Sequence, residues 1–106
     1  MMRVWIAAVA MSVLALPVAA SEVAAELWDR PRSAQTVMAQ PAVQQAMTAY
    51  LAKGSVRIRV VHGTRQDAQL QAEELRAWLI ALAVEGGRVQ LQANAAVTGL
   101  RLELVE

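Results

Sequence analysis

Apolar and polar positions follow three different rhythms along this chain. The stretch from Val4 through Leu16 is apolar almost without interruption. From Pro41 the rhythm becomes helical: Val43, Ala46, Met47, Tyr50 and Leu51 fall on one face of an amphipathic helix. Pro41 suits the first turn, where its missing N–H has no partner to lose, and Gly54 is placed to close the helix in a left-handed cap. The predicted helix is Pro41–Ala52.

A period of two follows. Val56, Ile58 and Val60 alternate with Arg57 and Arg59, so residues 55–62 are predicted to form a strand that Gly63 breaks. Thr64 and Asp67 have the spacing of a capping box, with the Thr64 hydroxyl accepting from the Asp67 N–H and the Asp67 carboxylate favoured by the helix dipole. The helix behind them has an apolar stripe of Ala68, Ala72, Leu75, Leu79 and Leu82 with Trp78 beside it, and Gly86 and Gly87 are expected to stop it after Val84 or Glu85. Val89 and Leu91, then Leu100, Leu102 and Leu104, mark two more strands, with residues 94–99 as a hairpin loop between them.

Strand, helix and strand in succession make a βαβ unit, for which a right-handed crossover is expected. The predicted fold is an α+β or α/β two-layer sandwich: a small mixed sheet and two helices in the order αβαββ, the last strand antiparallel. One domain over residues 40–106 is expected, preceded by an irregular lead-in at 21–39 in which Pro31 interrupts regular structure and Trp28 docks on the domain. Leu27, Trp28 and Asp29 are the candidates for an extra N-terminal edge strand.

The apolar N-terminus changes the compartment. Arg3, the run to Leu16, Pro17 and the small residues Val18 and Ala20 have the layout of a secretory signal over residues 1–20, with cleavage between Ala20 and Ser21. From Val4 to Ala20 the segment is shorter than the ~20 residues that span a bilayer, so no stable membrane anchor is expected after cleavage. The chain has no cysteine, which excludes a disulfide framework and a lipid-accepting Cys after the signal. A periplasmic or secreted protein is predicted. Losing Arg3 brings the formal net charge from +1 to zero, without the basic stripe that nucleic acid or anionic lipid would require.

Chemistry-bearing residues are few. His62 is the single histidine; as a catalytic base it would need a nucleophile and an orienting carboxylate, for which the chain offers no Cys and no obvious Ser beyond Ser33 and Ser55, and it lacks the companions of a metal site. No catalytic group, metal or cofactor is therefore expected. Glu73 and Glu74 are adjacent on a helix, so their side chains diverge by about 100° and read as a solvated face. Arg57 and Arg59 project from the outer side of a strand, and Trp28 and Trp78 read as core or rim packing. Arg65, Asp67 and Arg76 are the candidate ligand residues, for a small anion or zwitterion at the helix start.

Three segments in order, Val60-Val61-His62-Gly63-Thr64-Arg65, the long helix, and Ala83-Val84-Glu85-Gly86-Gly87-Arg88-Val89, resemble the OmpA-like peptidoglycan-binding domain of bacterial envelopes. Its pattern is a strand ending in Gly-(His/Tyr)-Thr-Asp, a helix carrying Arg-Ala, then Gly-(Ile/Val) before the next strand. The resemblance covers residues 40–92 and would make Leu27 to Asp29 a remnant of the first strand. It implies an Asp and an Arg holding the diaminopimelate side chain. Arg65 stands where that Asp would be, with Asp67 the nearest replacement; Arg76 and Ala77 look like the Arg-Ala pair, although the spacing counted back from Ala83 falls on Gln71 and Ala72. The expected function is non-enzymatic binding of another envelope protein, with peptidoglycan binding through the turn from Thr64 to Asp67 as the alternative.

Overall fold

The computed structural model describes residues 19–106. The signal segment predicted over residues 1–20 therefore lies outside the described residues except for Ala19 and Ala20. The elements are β1 (Ala19–Val23), a 3-10 turn (Ala25–Asp29), α1 (Ala34–Met38), α2 (Pro41–Ala52), β2 (Arg57–His62), α3 (Gln66–Ala81), β3 (Val89–Ala93) and β4 (Leu100–Val105). They form a four-stranded mixed sheet packed against helices, an α+β fold as predicted, with the short α1 in addition to the two helices expected.

The lead-in is more regular than its composition suggested. An extra edge strand exists, but it is Ala19–Val23; Leu27 to Asp29 belong to the 3-10 turn instead. Leu27 is buried there, which a single turn achieves by folding back on itself after the strand. Ser33 then starts α1 with a reciprocal cap: its hydroxyl accepts from the Thr36 N–H at 3.2 Å, and the Thr36 hydroxyl accepts from the Ser33 N–H at 2.8 Å. That cap turns Val37 fully into the core.

In α2, Pro41 occupies the first turn as expected. The buried face is Ala42, Val43, Ala46 and Met47, while Leu51 is 76% exposed. At 100° per residue, this is the expected stripe rotated so that Ala42 enters and Leu51 leaves. Gly54 does not make a left-handed cap: Lys53 ends the helix in an extended conformation, and no glycine has positive φ. At the end of α3 the left-handed residue is Ala83, with φ 84°. The Ala83 N–H donates to Ile80 O and the Val84 N–H to Leu79 O, both at 3.0 Å, a Schellman pair closed by the buried Leu79 and Val84. The helix thus ends at Ala81, ahead of Gly86 and Gly87, which form the 3-10 turn leading into β3.

The strand order is β1-β4-β2-β3. β2 runs parallel to β3 and antiparallel to β4, and β1 is antiparallel to β4. β3 and β4 are therefore not a hairpin, because β2 lies between them. β2, the most deeply buried strand, is paired on both edges, as is β4, and residues 94–99 carry the chain across the end of β2, roughly 10 Å or two strand spacings.

The register sorts residues by face. Ile58, Val60 and His62 lie beside Val89, Leu91 and Ala93 on one side and Leu104, Leu102 and Leu100 on the other. This is the face the helices cover: the core joins Ile58, Val60, Val89, Leu100 and Leu102 to Val37, Val43, Met47, Leu75 and Leu79. The opposite face carries Arg57, Arg59, Val61, Arg101, Glu103 and Glu22.

Candidate functional site

The parallel pair and α3 place the suspected ligand turn at the carboxyl end of β2, where open α/β sheets commonly bind ligands. Here that end is closed by the chain itself. The Asn94 N–H donates to His62 O at 2.8 Å, the Gly63 N–H donates to Gly99 O at 3.1 Å, and a Cβ on Gly63 would come 2.5 Å from Val97 O. Asn94 shapes the crossing loop by accepting from the Ala96 N–H through Oδ1 and from the Val97 N–H through its carbonyl. His62 beneath is 6% exposed, and its Nδ1 donates to Gly63 O at 2.8 Å. A carbonyl only accepts, so Nδ1 carries the proton and the ring is held against its own turn.

The helix start also differs from the expected one. α3 begins at Gln66 with Arg65 as the capping position, no side chain caps it, and the bond from the Asp67 N–H to the Thr64 hydroxyl does not form. Asp67 compensates: its Oδ1 accepts from the Ala68 N–H at 2.9 Å and pairs with Arg65 Nε at 3.3 Å. The Arg65 hydrogen bond, and then the Ala68 N–H, hold the Asp67 carboxyl below its ordinary value. Both side chains are exposed, so the pair adds little stability. Asp67 already occupies the place at which a small anion would gain from the helix dipole.

Arg76 does not join them. It lies more than two helical turns further along α3, where Nη2 donates to Gly86 O at 3.1 Å and Nε to Val89 O at 3.4 Å. Its role is to fasten α3 to the start of β3. Arg65 and Asp67 are brought together as a pair, and the three candidates do not converge on one ligand. A cleft of about 220 Å³ does open nearby, between Glu22, Arg101 and the 96–99 backbone, but none of the three lines it.

Two charged clusters escaped the sequence reading. Glu74, expected in a solvated face, receives a two-pronged ion pair from Arg32, Nε to Oε2 at 2.8 Å and Nη2 to Oε1 at 2.9 Å, and Trp78 Nε1 donates to the same carboxylate at 3.1 Å. Arg32 also lies 5.4 Å from the Trp28 ring. Its hydrogen bonds lower the Glu74 carboxyl and raise the Arg32 guanidinium from their ordinary values, against a desolvation that opposes both. Only part of this was written locally: Glu74 and Trp78 are four residues apart, one turn on α3, whereas Arg32 reaches Glu74 from 42 residues away in the chain. On the outer sheet face Glu103 pairs with both Arg59 at 3.2 Å and Arg101 at 2.9 Å. Arg57 has no ion-pair partner among the described residues.

Among the described residues no group of three His, Cys, Asp or Glu side chains is arranged to hold a metal ion, and no helix is long and apolar enough to cross a membrane. Comparison of the chain with family models, curated proteins and solved structures found no match.

Proposed function

We propose that this chain is an exported, non-enzymatic protein of the bacterial envelope whose domain, diverged from the OmpA-like type, binds another envelope protein through the outer face of its sheet. The observation that carries this reading is one-sidedness. The core draws on the inner face of the strands, and no described helix packs on the other. That outer face presents Arg57, Arg59 and Arg101 against Glu22 and Glu103, a local excess of positive charge on a balanced chain. Charge complementarity therefore favours a partner surface rich in carboxylates. Val61 lies outward between Gln92 and Arg101 and is only 1% exposed, consistent with long side chains lying flat over it. Burial of His62 and the separation of Arg76 from the Arg65 and Asp67 pair support surface contact over chemistry or small-ligand capture.

Photo-crosslinking in the envelope tests this. A crosslinker at Gln90, exposed on the outer face, is expected to give one defined adduct that Arg57→Glu reduces at least fivefold, while a crosslinker at Gln69 on α3 gives none. Equal adducts from both positions would overturn the surface assigned. In parallel, the chain should stay in the supernatant when purified peptidoglycan is sedimented. Retention that disappears in the Arg65→Ala, Asp67→Ala double variant would replace this reading with cell-wall binding.

A further inference from the structure

β3 forms one edge of the sheet. The Asn94 N–H points towards β2, where it donates to His62 O. Backbone groups alternate in direction along a strand, so those of Gln90 and Gln92 also face β2, while those of Val89, Leu91 and Ala93 face outward. Val89 is already engaged: its N–H donates to Gly86 O and its carbonyl accepts from Arg76 Nε. Leu91 and Ala93 remain, with two N–H groups and two carbonyls that find no backbone or side-chain partner among the described residues. Sheet edges are normally defended by a charge, a proline or a bulge. β3, Val-Gln-Leu-Gln-Ala, carries neither charge nor proline, and its register with β2 runs unbroken from Val89 to Ala93. Leu91 lies on the face the helices cover and is still 37% exposed. The opposite edge, β1, carries Glu22.

We propose that β3 pairs with β3 of a second copy of this chain, antiparallel and centred on Gln92. In that register Leu91 of each copy lies opposite Ala93 of the other, and their outward groups close into four hydrogen bonds with none left over. Leu91 gains an apolar neighbour. On the outer side Gln92 faces its own copy and Gln90 faces Asn94, so amides meet amides and no charge meets a like charge. Charge selects the occupant: an acidic segment gains nothing at an uncharged edge, whereas a second copy brings an edge equally uncharged. The two-fold axis stands perpendicular to the sheet, which continues to eight strands with both outer faces on one side. A contact of five residues a side is smaller than the ~1,200 Å² of a standard interface. The pair therefore forms in concentrated solution and dissociates at micromolar protein, where β3 is an open edge. This pairing is independent of the envelope reading.

The test uses the purified full chain, whose apolar N-terminus is common to every variant. The sequence has no cysteine, so one introduced thiol reports on one position. Facing residues of a pair without backbone bonds between them stand ~4.5 Å apart at Cα, within disulfide reach. Under mild oxidation at high protein concentration, Gln92→Cys should form linked dimers at least tenfold faster than Gln90→Cys, which is exposed on the same face. Equal rates overturn the pairing. Gln92→Glu and Gln92→Lys should each abolish the concentration-dependent dimer in sedimentation, and mixing the two should restore it, with the circular dichroism of the parent retained throughout. A parent that stays monomeric in concentrated solution overturns the proposal, as does a mixture that fails to associate. Leu91 and Ala93 amides protected from exchange only when envelope extract is added would give the edge to another protein's strand and overturn it too. At Gln90 an adduct between copies has twice the chain's mass, which separates it from the envelope-protein adduct.

Discussion

Gly63 and Ala83 show how a single position can be set by its neighbours in space. Gly63 reads as a strand breaker, but the reason it must be glycine is the Val97 carbonyl 2.5 Å from where a Cβ would stand. The crossing backbone is tied down by its own hydrogen bonds, so it cannot yield cheaply. Gly63→Ala should cost about 1–3 kcal/mol, the range for overpacking a close contact, measured by urea denaturation. A loss of only a few tenths would mean that the loop moves aside. Ala83 is the reverse case. Its φ of 84° puts a Cβ into the left-handed region, a strain of ~1–2 kcal/mol that glycine relieves at an entropic cost of ~0.5–1 kcal/mol. Ala83→Gly should therefore stabilise the fold by about 0.5–1 kcal/mol, visible as a midpoint a few degrees higher in thermal unfolding. A lower midpoint would show that the Schellman turn is held elsewhere.

At the scale of elements, the lead-in is attached to α3 by Arg32 and Glu74. The pair is part-buried and bidentate, and its carboxylate has a further donor in Trp78. Its pH dependence has a definite sign. Glu74 ionises more readily folded than unfolded, so stability contributed by the pair is present above the ordinary value of 4.5 and is lost as pH falls through the lower folded value. Urea midpoints taken from pH 7 down to pH 3 should fall less steeply for Glu74→Gln than for the parent, which keeps the Asp67 contribution common to both. Parallel curves would show that Arg32 is not coupled to folding. The helices themselves were legible because an apolar stripe is a local, repeating signal. Rotation of α2, which buries Ala42 and exposes Leu51, was not: the stripe allows a range of angles, and the sheet selects one.

For the whole molecule, strand order decides which parts hold longest. β2 and β4 are each paired on both sides, while β1 and β3 are edges. Amide exchange followed by mass spectrometry should find β2 and β4 the most protected segments and β1 and β3 the first to exchange; equal protection of β1 and β2 would contradict a sheet that opens from its edges. The chain by itself determined α2, α3 and the three strands at Arg57–His62, Val89–Ala93 and Leu100–Val105, because each periodicity is written within a few turns or residues. It also determined the absence of cysteine and the presence of a single histidine. Tertiary structure alone decided that β2 separates β3 from β4, that Ala19–Val23 form β1 against β4, and that Arg76 leaves Arg65 and Asp67 to fasten β3. These depend on which backbones pair across the sheet and which carbonyls need donors, contacts between residues far apart in the chain that no local pattern encodes.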